Sequence, residues 1–197
     1  MMLTARVIAL TALLFTAIPP SQAAIIPYTA TLAPEVTGAT GSGFVTVAYD
    51  TDANTLLITA TWSGLSGVTT VAHIHCCTAA PGTGIVGVAV TPGTLPDFPV
   101  GVSTGSYTSP LLDLDDPATF TAAFITNFAG GIPANADDAL LAGFNAGLAY
   151  FNIHSDIFPS GEIRGFLQRQ QVPEPGTLAL LALGLAGLSL ARQRKQR

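Results

Sequence analysis

The sequence predicts a mainly β domain, an antiparallel sandwich or barrel with one or two short helices. Three observations carry this. Apolar and polar residues alternate in short runs, the runs are bounded by Gly, Pro, Asp and Asn, and eight of them follow one another with turn residues between. Regular short strands with turn signals at each boundary are the pattern of a sandwich or barrel.

The first element precedes the domain. Arg6 is followed by an apolar stretch from Val7 to Ile18, Pro19-Pro20 breaks it, and Ser21-Gln22-Ala23 offers small residues for cleavage. Residues 1–23 therefore read as a secretory signal peptide, with the mature chain beginning at Ala24.

Residues 24–171 form the β domain. Its expected strands are Ile25 to Leu32, Gly43 to Tyr49, Thr55 to Trp62, Val68 to His75, Ile85 to Val90, Ser103 to Leu112, Leu148 to His154 and Glu162 to Gln168. Asp50-Thr51-Asp52-Ala53-Asn54 supplies turn residues, so the second and third strands should form an antiparallel hairpin. It begins like a calcium loop, but Thr55 stands at the glycine position and no glutamate follows at Thr61. Two segments break the β pattern. Asp116-Pro117 opens a helix through Phe128, with an Asp cap, Pro at the first position and Gly130-Gly131 as its stop. Its Phe120, Phe124 and Phe128, four apart, mark a core face. The second helix runs from Asn135 to Asn145, rich in Ala and Leu.

The last element is residues 172–197. Pro173-Glu174-Pro175 precedes an apolar run from Gly176 to Ala191, followed by Arg192, Arg194, Lys195 and Arg197. Sixteen helical residues cover about 24 Å, somewhat under the roughly 30 Å hydrocarbon core. The basic cluster stays cytoplasmic, which leaves the domain outside the inner membrane. An uncut C-terminal anchor and a processed sorting tail both fit this physics. Element by element the tail resembles the PEP-CTERM signal of exopolysaccharide-producing Gram-negative bacteria. That resemblance implies an exosortase-type protease as processing partner, exopolysaccharide or other envelope components as further partners, and a location at the cell envelope, on the outer surface or outside the cell.

These two ends inflate the stated 49% hydrophobic content. The domain between them carries only Arg164 and Arg169 against eleven acids, a formal charge of −9. With no lysine it cannot neutralise phosphates, which argues against nucleic acid and anionic lipid as partners. Gly82-Thr83-Gly84-Ile85-Val86-Gly87 fits a dinucleotide fingerprint and Gly101-Val102-Ser103-Thr104-Gly105 a nucleophile elbow. Both are followed by β-like residues where a helix is needed. No serine or cysteine lies in a context that sets it beside a histidine base, Cys76 and Cys77 being the near exception, so no catalytic constellation emerges.

Ala72-His73-Ile74-His75, Ala149-Tyr150-Phe151-Asn152-Ile153-His154 and Gly161-Glu162-Ile163-Arg164-Gly165-Phe166-Leu167, in that order, resemble the CHRD domain named for chordin, over roughly Ile25 to Gln168. Ser155-Asp156 and Phe158-Pro159-Ser160 depart from the family's more usual Thr and Pro-Gly-Gly turn. The resemblance implies an extracellular β-rich domain with no defined biochemical activity, and the chain as a whole reads as an exported cell-surface or matrix-associated binding or structural module.

The chain has three histidines, and all fall in these segments. On a strand, His73 and His75 share one face while Ala72 and Ile74 face the other way. His154 shares its face with Asn152 and Tyr150. If the two strands are neighbours, three imidazoles converge and suit copper or zinc, with water, Asp156 or Glu162 in a fourth position, which makes a metal-binding redox protein the alternative to a binding or structural module. The other reading is structural, with the histidines bonded to backbone or to Glu162 and Arg164. Glu162 and Arg164, on one strand face, read as an ion pair or a turn clamp and not as a catalytic couple. Cys76-Cys77 suggests a disulfide in an oxidising compartment, although consecutive Cα atoms sit about 3.8 Å apart across a trans peptide, below the usual window. Thiolate ligands beside His75, contacts with another chain, or packed thiols are the alternatives, and alternation would put Cys77 on the histidine face.

Overall fold

The computed structural model describes residues 25–170 together with positions 181 and 183–185. The expected signal peptide and, apart from those four positions, the C-terminal segment lie outside the described residues. Among the described residues no helix is long and apolar enough to cross a membrane.

The domain is mainly β, built on one curled antiparallel sheet that closes into a half-barrel. In chain order the strands are β1 (Ile25–Pro34), β2 (Ser42–Asp50), β3 (Thr55–Ser63), β4 (Thr69–His75), β5 (Val88–Val90), β6 (Gly105–Thr108), β7 (Leu112–Asp113), β8 (Tyr150–Ser155), β9 (Ile163–Phe166) and β10 (Gln168–Arg169). The order across the sheet is β5-β4-β8-β9-β1-β2-β3-β6, with β10 also paired to β1 and β7 to β3. Between β7 and β8 lie the helices α1 (Ala122–Phe128) and α2 (Ala136–Asn145).

Alternation decides which residues fill the interior. On β2, Val45, Val47 and Tyr49 are buried while Phe44 and Thr46 are exposed, and β3 repeats the rule with Leu56, Ile58, Ala60 and Trp62. The β2–β3 hairpin turns where Asp50 accepts from the backbone N–H groups of Asp52 and Ala53 and Asn54 adopts φ 49°. Both are the roles that Asp and Asn play in turns. Helix α2 packs Phe144 edge-on against Tyr28 and Tyr49, at 5.0 and 6.3 Å. Burial of that ring contributes about 1.5–3 kcal/mol.

Several expected boundaries move, each for a local reason. The strand expected from Ile85 shortens to Val88–Val90, because Gly82, Gly84 and Gly87 punctuate the preceding loop and Ile85 lies exposed. The segment Ser103 to Leu112 splits into β6 and β7 at Pro110, which has no N–H for the ladder. Glu162 falls before β9, and Leu167 separates β9 from β10. The first helix also divides. Asp116 caps a 3-10 turn over Pro117–Thr119, Phe120 is extended and bridges Val90, and Thr121 then caps α1 by accepting from the Phe124 N–H. Phe120 and Phe124 are buried as a core stripe requires, whereas Phe128, at the helix end, is exposed.

Candidate metal centre

Strands β4 and β8 are neighbours, with Val71 opposite His154, His73 opposite Asn152 and His75 opposite Tyr150. Ala72, Ile74, Phe151 and Ile153 point into the core and are fully buried. The opposite face carries His73, His75, Tyr150, Asn152 and His154, as antiparallel alternation requires. Loops cover this face, so the three histidines are only 7%, 8% and 8% exposed in chain order.

Each loop supplies one backbone carbonyl to one imidazole. His73 Nε2 lies 2.7 Å from the Gly93 oxygen, His75 Nδ1 2.8 Å from that of Val86, and His154 Nδ1 2.9 Å from that of Pro159. A carbonyl can only accept, so in the neutral ring each of these nitrogens carries the proton. The remaining three nitrogens, His73 Nδ1, His75 Nε2 and His154 Nε2, are therefore lone-pair donors. They face one another. His73 Nδ1 and His154 Nε2 are 3.3 Å apart, and His75 Nε2 is buried without a hydrogen-bond partner.

Metal–nitrogen bonds of about 2.0–2.1 Å place two nitrogens of a tetrahedral site about 3.3–3.4 Å apart. The His73–His154 pair already has that spacing, and one ligand atom from each histidine lies within 4.8 Å of the others. His75 is the outlying ring, with centroids 5.6 and 6.1 Å from its two partners against 5.1 Å between them. A bound ion would draw it inward. Carbonyl acceptors that fix the tautomer are the usual outer shell of metal-bound histidine.

Burial penalises the imidazolium form, which lowers the His73 pKa and takes that of His75 down to about 4. The neighbouring histidines and, for His75, Arg164 act in the same direction, while the carbonyls of Gly93 and Val86 oppose it. In the unfolded chain His75 titrates near its ordinary value of about 6.5. Between these two values the unfolded state binds the proton and the folded state does not. Stability of the metal-free protein therefore falls as pH drops from about 6.5 towards 4, on the order of 3 kcal/mol from His75. Urea midpoints of chelator-stripped protein at pH 7.5 and 4.5 measure this. The loss should be smaller in His75→Gln, and an equal loss in both proteins would contradict it.

The remaining sequence-predicted residues lie elsewhere. Glu162 is fully buried but turns away, accepting from the backbone N–H groups of Ser66 and Gly67. Asp156 accepts from the Val68 N–H. Neither carboxylate belongs to the group of clustered ligand atoms, and each holds the turn before β4. Nor does Glu162 pair with Arg164, since β9 begins only at Ile163 and alternation does not extend back to it. Arg164 instead pairs with Glu35 at 3.1 Å. Cys76 and Cys77 form a disulfide against α2, where a Cβ on Gly143 would collide with both sulfurs. The parity that would put Cys77 beside the histidines fails because β4 ends at His75. The donor set at the cluster is thus imidazole only.

Sequence reasoning missed the flank of the cluster. Tyr150 stacks on His75 at 4.6 Å, and the Arg164 guanidinium lies over Tyr150 at 5.0 Å. Glu35 holds that arginine and accepts from Asn152 Nδ2 at 2.8 Å. Face parity reaches Tyr150 and Asn152. Nothing in the sequence points from Glu35 to Asn152, 117 positions away.

The β4–β8 pair and the β8–β9 segment are the portions that bear the chordin-type pattern, and a family model, the CHRD domain, matches residues 23–167. The chain belongs to the CHRD-domain family. A second match, the PEP-CTERM protein-sorting motif, covers residues 171–195 immediately after the CHRD domain. The two together make this an exported CHRD-domain protein, sorted to the envelope or the exterior, with the tail recognised by an exosortase. No curated protein and no solved structure matches the chain.

Proposed function

We propose that this exported CHRD domain is a metal-binding module that holds one copper or zinc ion through His73, His75 and His154. The observation that carries the reading is the convergence of three imidazole lone pairs, with every outward nitrogen tied to a carbonyl. A structural polar seam would pair these nitrogens with donors. Here two acceptors meet at 3.3 Å and the third is buried alone, an arrangement that a cation satisfies.

Three neutral ligands leave a fourth position for water or an exogenous ligand, which the slight exposure of the rings supports. The signal peptide over residues 1–23 delivers the chain. The apolar run within residues 172–197 then holds it at the inner membrane until an exosortase processes the tail.

The test is metal content by mass spectrometry on full-length protein exported into an oxidising compartment and purified without a histidine tag. The expected result is about one copper or zinc per chain, lost in His154→Ala. Metal at background level after reconstitution with either ion would overturn the reading.

A further inference from the structure

The four strands β1, β2, β3 and β6 turn their outer face to solvent, on the part of the sheet that β9 separates from the histidine strand β8. Their register places like residues in rows. Thr29 lies opposite Thr46, Thr46 opposite Thr59 and Thr59 opposite Thr108, giving four threonines side by side across four strands. The next row reads Thr31, Phe44, Thr61 and Ser106. Phe44 is 46% exposed, an aromatic ring set among hydroxyls. A shallow groove runs over this end of the face, lined by Thr31, Phe44, Thr61, Trp62 and Ser63 among others. Towards the other end a second, mostly apolar depression is lined by Ile25, Ala48, Leu57 and Leu111, with Asp50 at its edge.

Three features select the occupant. First, the rows contain no Asp, Glu, Lys or Arg, although the domain around them carries −9. The nearest acid on β2, Asp50, is engaged by its own turn. An anionic polymer would be repelled by the domain, and a cationic one would find nothing on the face to hold it. Second, the hydroxyls of Thr31, Thr59, Thr61, Ser106 and Thr108 take no partner among the described residues and stay available. Third, the face is small. Six residues along the strands by three inter-strand gaps is about 20 by 14 Å, or roughly 300 Å². Doubled, that is about 600 Å², well under the roughly 1,200–2,000 Å² that a stable protein–protein interface buries. It suits a linear ligand that gains avidity from repetition.

We propose that the outer face of β1, β2, β3 and β6 binds a neutral polysaccharide chain. Pyranose rings present an apolar C–H face and a rim of hydroxyls, which match Phe44 with its apolar neighbours and the threonine rows respectively. The in-register spacing of about 4.8 Å repeats these contacts across the strands.

Affinity gel electrophoresis of the full chain in mild detergent, with chelator present, tests this against hydroxyethyl cellulose, galactomannan and dextran, with alginate as the acidic comparison. Retardation is expected with at least one neutral polymer and not with alginate. Phe44→Ala should weaken it about tenfold, and Thr59→Glu should abolish it. Both positions are exposed, so unfolding temperatures should stay near the parent value and confirm that the variants fold. Retardation by none of the neutral polymers, equal retardation by alginate, or unchanged retardation in both folded variants would overturn the proposal, as would a concentration-dependent dimer that Phe44→Ala dissolves. Because the chelator removes any bound ion, failure of the metal reading leaves this outcome untouched.

Discussion

Adding copper(II) or zinc to the chelator-stripped protein is expected to raise its unfolding temperature by roughly 8–16 °C, and His154→Ala to remove the rise. An ion that binds only the folded state stabilises by about 4 kcal/mol when its free concentration is a thousandfold above Kd. For a domain of this size each kcal/mol moves the midpoint by about 2–4 °C. His154 is the informative position because its Nε2 meets His73 Nδ1 at 3.3 Å and its ring also faces His75. Without it two ligands remain, from one strand. If the histidines were a structural seam, neither metal would shift the midpoint. His154→Ala would then lower the midpoint by the same amount with and without metal, through its lost bonds to Pro159 and His73. Differential scanning calorimetry of the two proteins, with and without metal, separates these outcomes.

The parts of this site that the sequence made legible follow from period two. Ala72 and Ile74, with Phe151 and Ile153, are so clearly interior that the residues between them had to face the other way. His73, His75 and His154 therefore shared a face as soon as β4 and β8 paired. The same logic recovers the β2–β3 hairpin from its turn residues and its buried Val45, Val47, Leu56 and Ile58. Alternation says nothing where the chain leaves a strand, and the failed expectations cluster there. Cys77 lies just past β4, and Glu162 just before β9. The carbonyls of Gly93, Val86 and Pro159, which decide the tautomers, are backbone atoms in loops, so no residue type announces them. The threonine rows fall between these cases. Each Thr could be read as an outward strand position, but their alignment across four strands is a property of register, which pairing sets and composition does not.

Glu162 is expected to be among the most sensitive positions in the domain, for stability and not for metal. Its side chain is fully buried, and its two carboxylate oxygens take the N–H groups of Ser66 and Gly67. These end the turn that leads into β4. Its own backbone ties the same point into the sheet, donating to Ile153 and accepting from Glu35, both at 2.9 Å. Glu162→Ala leaves the buried Gly67 donor and the part-buried Ser66 donor without an acceptor. At about 1.5–3 kcal/mol for each hydrogen bond to a charged group, the cost is about 3–6 kcal/mol, read as a drop in the urea midpoint. Glu162→Gln keeps the shape but sets an NH₂ group against one of the two N–H donors, so it should still lose about 2 kcal/mol. Wild-type stability in Glu162→Gln would show that the charge is irrelevant to the turn. The same variant discriminates between the two places this carboxylate could act. Because it points to the turn and not to the imidazoles, folded Glu162→Gln should retain its full complement of metal, and loss of metal without loss of stability would return Glu162 to the ligand set.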